Sequence, residues 1–553
     1  MTVIYGFFAQ QLLAVVAIFF LTLICRFYWS HRKILRVARS LHPILPSYPL
    51  LGHGYLLFSG LDAMINAGVN VIKDTLKEGV HNKGVFWAGP YPVFMVSHPE
   101  DAHIILNNSK SFEGGIEKLL RNFLGNGLIT APAKLWKTTR RHVNVMFHPR
   151  NIDRMLPVLN DIGREIASKL THHVSAGQVD VEPLVYPFAL KSTCKLIFGP
   201  EAEINVETDK FKNVMNAITD ISLFTCERFV KLWLWPESIF KTLCSKKIKE
   251  INDSCDEFII EALEKSRKRR SSLSTTPDKQ QIGDGEENVS DGLETITLQD
   301  TYKSLQNHVP SVTEKDLHYE IRNILLGGSE STRVTLSSCL LALGAHPDIQ
   351  EKLYNEVMAV TGSDIGSDVT LEDIRDMPYL DQVLKETLRR FIVVPIASRT
   401  VQEDIQLKGW TIPSGSLVAV LPFACHYNSN YYPDPDKFDP DRFSPENVAA
   451  RDRYSFMPFS LGPRNCIGKN YSMLVLKTFL VHIVKRFKFS TTEDLTSLPV
   501  AGGVITGLLN GYWVQIEPRI RKSTPQESVE GHPLPKPYIS QIHNTSRSGK
   551  FID

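Results

Sequence analysis

The first hydrophobic stretch of this 553-residue chain is long enough to cross a membrane. It runs from Val3 to Cys25, and polar side chains such as Gln10, Gln11 and Thr22 interrupt it only briefly. A helix rises about 1.5 Å per residue, so the run would span about 34 Å, enough for the hydrocarbon core of a bilayer. The pattern therefore predicts a transmembrane helix.

The charges around this run predict its orientation. No charged residue precedes it, whereas several basic residues follow it: Arg26, Arg32, Lys33, Arg36 and Arg39. By the positive-inside rule, residues 1–26 form a signal anchor and the rest of the chain lies in the cytosol. A cleaved signal peptide is the alternative, but it would need a charged n-region, a shorter apolar core and a small-residue cleavage site.

Prolines and short apolar pieces mark the next part of the chain. Pro43, Pro46 and Pro49 fix φ and resist helix formation, so residues 27–54 are predicted to be a basic and proline-rich hinge. Residues 90–130 alternate β-rich and helical pieces, which predicts a small mixed sheet. From about residue 135 to 265, helical spacing of apolar residues dominates.

Two segments are polar and poor in aromatic residues. Residues 266–310 start with the basic run Ser266–Arg270 and continue with many Ser, Thr, Gly, Asp and Gln residues. Such a composition buries too little apolar surface to offset the ordering entropy, which predicts a disordered insertion. Its basic start fits a solvated helix end or, as the alternative, a sorting or membrane-surface patch. Residues 519–553 are predicted to be a disordered tail.

Helical periodicity returns at Thr313, whose hydroxyl is a predicted N-cap, and it continues through Ala345. This predicts an unusually long central helix. One or two further helices are expected over Val369–Arg390, and strands with a Pro-Ser-Gly turn over Arg399–Val420.

Composition narrows the class of protein. With 43% hydrophobic and 22% charged residues, the chain is of ordinary globular type, and a net charge of +2 gives no footprint of nucleic-acid binding. The 8 cysteines are scattered and form no CxxC pair. This distribution favours neither a zinc site nor a disulfide scaffold, and it suits a reducing compartment.

One cysteine lies in the most specific motif of the chain, Phe459-Ser-Leu-Gly-Pro-Arg464-Asn-Cys466-Ile-Gly468. Cys466 is the predicted haem-iron ligand, because a thiolate donates electron density that favours O–O cleavage. Gly462 and Gly468 allow tight turns and close approach. Arg464 supplies a charge for a haem propionate, and Phe459 an aromatic wall against water. A surface loop with a buried free cysteine is the alternative.

The second motif lies inside the central helix, at Gly327-Gly328-Ser329-Glu330-Ser331-Thr332. Two glycines within a helix cost about 1 kcal/mol each, a loss that suits a close backbone approach to a flat ligand or a gap for O₂. An acid and hydroxyls for proton delivery follow, namely Glu330, Ser331 and Thr332. A helix flaw near a packing contact is the alternative.

Together these motifs resemble those of the cytochrome P-450 superfamily, from the hinge to about residue 518. The resemblance implies a mainly α fold with small β-sheets, in which residues 55–518 form a single haem-thiolate catalytic domain. It implies a three-residue structural ion network behind the haem, made by Glu386, Arg389 and Arg442. It implies further partners for the haem propionates, namely Trp136, Arg140 and Arg399.

Longer phrases around Arg399, Phe438 and Pro458 resemble the family-four branch, the fatty-acid ω-hydroxylases, and its arthropod relatives. Three positions depart from the pattern. Gly327 stands where many members of that branch carry a glutamate that esterifies the haem, so haem b is expected to be non-covalent. Ser331 stands at the position of a threonine and lacks the β-branch that stiffens χ1. The segment from Phe391 lacks a common proline pair, which puts the branch's usual substrate in doubt.

The resemblance implies a membrane-bound monooxygenase of the endoplasmic reticulum. It would insert one atom of O₂ into a lipophilic substrate, which is a fatty acid, hydrocarbon, lipid hormone or xenobiotic. NADPH electrons would arrive through NADPH–cytochrome P-450 reductase, with cytochrome b5 as a second candidate donor and no nucleic-acid partner. A basic face is expected to dock the donor, although charge runs are often only solvated surface: Lys134, Lys137, Arg140, Arg141 and Lys469.

Two other functions stay open at this point. One is an isomerase or dehydratase of the same fold that acts on a peroxide, and the other is a haem-binding protein without turnover. The acid at Glu330 and the hydroxyl at Ser331 argue against the isomerase, because that reaction needs no proton delivery to activate O₂.

Overall fold

Helices carry most of the backbone in this computed structural model, which describes residues 2–519 except 42–44, 49–50, 61, 64, 71–82, 109–112, 274–294, 392 and 497. The helices in the first half are α1 (Thr2–Ser30), α2 (Arg32–Arg39), α3 (Pro99–Asn107), α4 (Arg121–Leu124), α5 (Ala133–Val143), α6 (Pro149–Asp153), α7 (Leu156–Thr171), α8 (Glu182–Phe198), α9 (Asp209–Val230), α10 (Glu237–Leu243) and α11 (Ser245–Leu273). The later helices are α12 (Leu298–His308), α13 (Glu314–Leu325), α14 (Ser331–Ala345), α15 (Pro347–Thr361), α16 (Leu371–Arg375), α17 (Pro378–Arg390), α18 (Pro422–His426), α19 (Pro445–Ala450) and α20 (Lys469–Val484).

The predicted central helix is confirmed, and it is interrupted where the glycines lie. It begins with a capping box, in which Thr313 and Asp316 each bond the other's backbone N–H, and α13 follows. Residues Leu326–Glu330 form one π-helical turn, and α14 continues to Ala345. Helix α14 is buried on nearly all sides, including its small hydroxyl side chains, and it forms the middle of the core among neighbouring helices.

Small sheets surround this helical core. The strands are β1 (Lys83–Ala88), β2 (Tyr91–Val96), β3 (Glu113–Gly114), β4 (Gln178–Asp180), β5 (Ala397–Thr400), β6 (Ile405–Leu407), β7 (Trp410–Ile412), β8 (Leu417–Val420), β9 (Phe487–Ser490), β10 (Val500–Ala501), β11 (Gly507–Leu508) and β12 (Trp513–Pro518). The largest sheet has the order β1-β2-β8-β5-β3, and its β2–β8 pair is parallel. The smaller sheets are β4-β12-β9, β6-β7 and β10-β11.

The N-terminal region contains one helix that is long and apolar enough to span a membrane. Within α1, residues Gln11–Ser30 have a mean hydropathy of 2.2, and none of that window is buried. The following helix α2 buries Ile34, Leu35 and Ala38, and it contacts β2 and β7. The predicted hinge over 27–54 therefore includes a packed helix, while Pro43 and Pro49 lie outside the described residues.

The prediction of disorder over 266–310 is wrong at both ends of that segment. Helix α11 continues to Leu273, and its basic run is tied to acids on other elements, for example Arg270 to Asp300 at 2.7 Å. Helix α12 begins with a Thr297–Asp300 capping box and buries Tyr302. Composition did not predict these two helical ends, because long-range ion pairs and a few buried side chains stabilise them. Residues 274–294 and 520–553 lie outside the described residues.

Candidate functional site

The loop around Cys466 is folded tightly by its own backbone. The Cys466 N–H donates to the Phe459 carbonyl at 3.0 Å, and the Asn465 N–H donates to the Gly462 carbonyl at 3.1 Å. Gly462 has φ +73°, and a Cβ there would lie 2.2 Å from the Leu106 carbonyl oxygen, so glycine is required. Gly468 has φ −85°, and its nearest contacts would be at ordinary distances, so the turn itself does not require glycine there.

The Cys466 thiol lies where backbone donors favour its ionised form. Its side chain is exposed, yet protein atoms surround it closely enough that burial raises the pKa of the thiol. A thiol that faces an opening inside the protein is both accessible and closely surrounded by protein atoms. The backbone N–H groups of Gly468 and Lys469, at the start of α20, and the charge of Arg140 lower that pKa. These donors fit a thiolate that ligates haem iron.

Two arginines and a tryptophan join helix α5 to the cysteine loop. The guanidinium of Arg464 lies 4.9 Å from the ring centroid of Trp136, and it donates to the Ala131 carbonyl at 2.7 Å. Arg140 donates to the Asn465 carbonyl at 2.9 Å, and its guanidinium lies 5.9 Å from the Trp136 ring. The structure thus brings Trp136, Arg140 and Arg464 together, and this cationic donor set fits haem propionates.

Arg399 lies on β5, between β3 and β8, and is buried. Its guanidinium donates to the Ser398 carbonyl at 2.8 Å and lies 4.0 Å from the Glu117 carboxylate. Burial lowers the pKa of Arg399, and Glu117 opposes that effect. A buried guanidinium is stabilised by an anion in contact with it, so this position also suits a propionate.

The hydroxyls of the central helix do not face the same surroundings. Ser331 donates to the Gly327 carbonyl and Thr332 to the Gly328 carbonyl, each at 2.6 Å across the π-helical turn. Thr332 is buried, whereas Ser331 is half-buried and Gly327 is exposed. A Cβ at Gly327 would meet nothing within 4 Å. Ser331, rather than Thr332, is therefore the hydroxyl beside open space.

Glu330 is only 1% exposed, and other helices hold its carboxylate. Thr219 on α9 donates to it at 3.0 Å, and Arg333 on α14 contacts both oxygens, at 3.1 and 2.8 Å. Burial raises the pKa of Glu330 to about 7, whereas hydrogen bonds from Tyr186 and Thr219 lower it. An acid with this pKa can both take up and release a proton near neutral pH.

The three residues of the expected ion network lie together beneath the fold's surface. Arg389 contacts the Glu386 carboxylate with two nitrogens, at 2.7 and 2.8 Å, and both side chains are fully buried. Arg442 lies 3.5 Å from the same carboxylate. Arg389 also donates to the carbonyls of His426 and Pro435, so the pair fixes the chain that leads to the cysteine loop.

Sequence reasoning missed the partners of Glu330. Arg333 has the i,i+3 spacing that predicts an ion pair on a helix, so this partner was visible in principle. Tyr186 and Thr219 carried no signal, because they come from helices more than one hundred residues earlier in the chain. Glu182, which contacts Arg333, likewise carried no signal in the sequence.

Comparisons with known proteins agree with this geometry. The Cytochrome P-450 family model matches residues 59–509. Cytochrome P-450 4V2 of Mus musculus is 27% identical over 504 residues, which cover 89% of this chain and 92% of that protein. Cytochrome P-450 4g1 of Drosophila melanogaster is 27% identical over 528 residues (89% and 91%), and 4c3 of the same organism 26% over 443 residues (78% and 81%). The chain therefore belongs to the cytochrome P-450 family, among relatives of family four, and is a monooxygenase of that family.

Proposed function

We propose that this protein is a membrane-anchored haem-thiolate monooxygenase that inserts one atom of O₂ into a C–H bond of a lipophilic substrate. The observation that carries the proposal is the Cys466 thiol, which lies under two backbone N–H donors at the start of α20 and beside Arg140. A haem bound there supplies the redox chemistry that activates O₂. The remaining roles belong to the protein's own residues.

Side chains around the cysteine loop bind and orient the haem in this proposal. The propionates would be held by cationic and indole donors: Trp136, Arg140, Arg399 and Arg464. Phe459, half-buried with its carbonyl bonded to the Cys466 N–H, keeps water from the sulfur. Gly468 gives room beside it. The haem is haem b without a covalent bond to the protein, since Gly327 offers no carboxylate.

At the central helix, Glu330 and Ser331 would hold and move protons for oxygen activation. Ser331 is the half-buried hydroxyl next to exposed Gly327, and Glu330 supplies the acid. Thr332 is buried and stabilises the π-helical turn through the Gly328 carbonyl. Proton delivery thus depends on a serine that rotates more freely than a threonine.

A largely apolar cavity supports a lipophilic substrate. It has a volume of about 400 Å³ and is lined by residues of α14, of the segment after α17 and of the C-terminal region around β10 and β11, including Val334, Phe391, Leu498 and Tyr512. Val334 lies within one helical turn of Thr332. Fatty acids, hydrocarbons, lipid hormones and xenobiotics are the candidate substrates. A larger groove of about 700 Å³ between α11 and α13 is lined by ion pairs, which do not suit a lipophilic molecule.

Electrons would enter at the basic face of α5 and α20. Lys134, Lys137, Arg141 and Lys469 are exposed there, and Arg140 links this face to the cysteine loop. Such a face suits an acidic flavoprotein domain, so NADPH–cytochrome P-450 reductase is the proposed donor, with cytochrome b5 as a second one. Helix α1 would anchor the protein in the endoplasmic reticulum membrane with the catalytic domain in the cytosol.

The reduced-CO spectrum of the haem-loaded protein tests the ligand. The wild type should show the Soret band typical of a thiolate ligand, and Cys466→Ser should lose it. Cys244→Ser, which changes a half-buried thiol outside the loop, is the matched control and should keep the band. A thiolate band that survives in Cys466→Ser would refute the assignment.

Turnover assays then separate the three candidate functions. Oxygenated product that requires NADPH and reductase supports the monooxygenase. Conversion of a peroxide without either would point to the isomerase or dehydratase, and a normal spectrum without any turnover to a haem-binding protein. Spin-state titration of the ferric protein with lipids of increasing chain length would identify the substrate class.

A further inference from the structure

Glu330 is linked to the protein surface through one shared arginine. The Arg333 guanidinium contacts the Glu330 carboxylate with two nitrogens, and its third nitrogen contacts the carboxylate of Glu182, the first residue of α8. The side chain of Glu330 is 1% exposed, that of Arg333 12% and that of Glu182 22%. The three groups therefore form a continuous chain from the central helix toward solvent.

Hydroxyl groups complete the surroundings of the buried end. Thr219 donates to Glu330, and the Tyr186 hydroxyl lies 3.3 Å from the Thr219 hydroxyl and bonds the Met215 carbonyl at 3.1 Å. The Arg333 guanidinium also lies 4.8 Å from the Tyr186 ring centroid. These neighbours hold the arginine and the acid in place, and neither hydroxyl titrates near neutral pH.

The charges of this cluster do not balance when both acids are ionised. Two carboxylates share one guanidinium, which leaves a net charge of −1, and a single proton makes the cluster neutral. Burial penalises the unbalanced charge, so one proton is favoured, and it resides on the more buried acid. Asp180 and Tyr512 are the other titratable groups nearby: Asp180 accepts from the Glu182 N–H, and the Arg333 charge acts on Tyr512.

We propose that Glu182 is a positioning residue for proton delivery, which acts by competing with Glu330 for Arg333. When Arg333 pairs mainly with Glu182, Glu330 keeps its proton. When Arg333 turns fully to Glu330, that acid gives its proton to the Ser331 hydroxyl, which passes its own proton on, and a proton from solvent then reprotonates Glu330. The role in proton delivery rests on the proposed function, whereas the competition for Arg333 is a property of the three side chains alone. The pKa of about 7 that burial gives Glu330 agrees with such an exchange.

The competition predicts opposite shifts for two variants. In Glu182→Gln, Arg333 belongs to Glu330 alone, so the midpoint at which Glu330 loses its proton should fall by about one pH unit or more. In Arg333→Met, the ionised form loses its partner and the midpoint should rise. The midpoint is measured as the pH dependence of the infrared band of the protonated carboxyl, which is assigned by its absence in Glu330→Gln.

A neighbouring ion pair provides the matched control. Glu165 on α7 pairs with Lys191 on α8 at 2.6 Å, so Glu165→Gln makes the same chemical change against the same helix without touching Arg333. This control should leave both the midpoint and the activity unchanged. Glu182→Asp, which keeps the charge, should restore a midpoint near that of the wild type. If Glu182→Gln leaves the midpoint in place, or moves it no more than Glu165→Gln, the inference is wrong.

Activity measurements show whether the competition serves turnover. The pH at which product formation is best coupled to NADPH consumption should move with the infrared midpoint in Glu182→Gln. A wild type that titrates as expected but oxygenates nothing would overturn the proposed function and leave the competition standing. A working enzyme whose coupling and midpoint ignore Glu182 would overturn the inference alone.

Discussion

The thiol of Cys466 is held by backbone donors, whereas the carboxylate of Glu330 is held by side chains from three helices. On the cysteine side, N–H groups of Gly468 and Lys469 point at the sulfur, and the loop closes through its own backbone. On the central-helix side, Thr219, Tyr186 and Arg333 provide the contacts.

This difference matters because backbone groups neither titrate nor change rotamer, while a side-chain network can do both. A ligand that must keep one position and one charge is suited to the first arrangement. A group that must gain and lose a proton is suited to the second. In the proposed function, the two sides would therefore divide the work into a fixed electrostatic setting for the haem and an adjustable proton supply.

The largest expected effect concerns the buried ion pair of Glu386 and Arg389, which supports the chain that leads to the cysteine loop. Replacing Glu386 with Ala leaves the buried charge of Arg389 without its main partner, which costs about 3–5 kcal/mol in the free energy of unfolding. Denaturant unfolding of the haem-loaded protein measures this. Lys385→Ala, which removes a partly exposed partner of Asp381 on the same helix, should cost less than about 1 kcal/mol. Equal losses in the two variants would contradict a special role for the buried pair.

The next effect separates the two glycines of the cysteine loop. Gly462→Ala forces a side chain into a backbone of φ +73° and against the Leu106 carbonyl, so we expect a loss of about 2–3 kcal/mol. Gly468→Ala, with φ −85° and ordinary contacts, should stay within about 1 kcal/mol in the protein without haem. Thermal unfolding of both variants measures the difference. A larger loss for Gly468→Ala than for Gly462→Ala would mean that the backbone conformation of the loop does not decide where glycine is required.

The same contrast explains how far each side could be predicted from the sequence. The cysteine side is made of contacts within ten residues, together with α5, so its motif could be recognised as a unit. Arg464 and Trp136 were both predicted, and the structure places them 4.9 Å apart. Short-range geometry of this kind depends on turns and spacing that the sequence displays directly.

The partners of Glu330 could not be predicted in that way. Its carboxylate depends on which faces of α8 and α9 pack against the π-helical turn, and helical periodicity does not determine which helices become neighbours. Composition failed for a related reason at residues 266–273, since Arg270 finds Asp300 only in the folded chain. The central helix and its N-cap were predicted because they are local features, whereas the π-helical turn at the glycines was not.

A second buried acid of the central helix, Glu320, predicts how the free energy of unfolding depends on pH. Burial raises the pKa of Glu320 from 4.5 to about 7, against hydrogen bonds from Tyr302 and the Leu128 N–H. The folded protein then binds more protons than the unfolded chain between these values, so the free energy of unfolding falls as pH rises through that window, by up to about 1.4 kcal/mol per pH unit. Glu320→Gln should remove this contribution and make the slope between pH 5 and 7 shallower, while the contribution of Glu330, whose pKa burial also raises to about 7, remains. Unfolding measured between pH 5 and 7 tests this.

A partly exposed acid serves as the control for this slope. Ion pairs with Lys210 and Lys265 lower the pKa of Glu261 to about 2, so it is ionised throughout the same range. Glu261→Gln should therefore leave the slope between pH 5 and 7 as it is in the wild type. A slope in Glu320→Gln that equals the wild-type slope would show that this acid is ionised in the folded protein.

The smallest effect distinguishes the two glycines of the π-helical turn. A Cβ at Gly327 meets nothing within 4 Å, so Gly327→Ala should gain up to about 1 kcal/mol of helix stability. A Cβ at Gly328 would lie 2.9 Å from the Thr193 side chain, so Gly328→Ala should lower the melting temperature instead. Adding Thr193→Ala to Gly328→Ala should relieve that clash, and the double-mutant cycle should show positive coupling between the two positions. If Gly327→Ala and Gly328→Ala changed the melting temperature alike, the close packing of α8 would not explain the glycine at position 328. The π-helical turn would then depend on the sequence of the central helix alone.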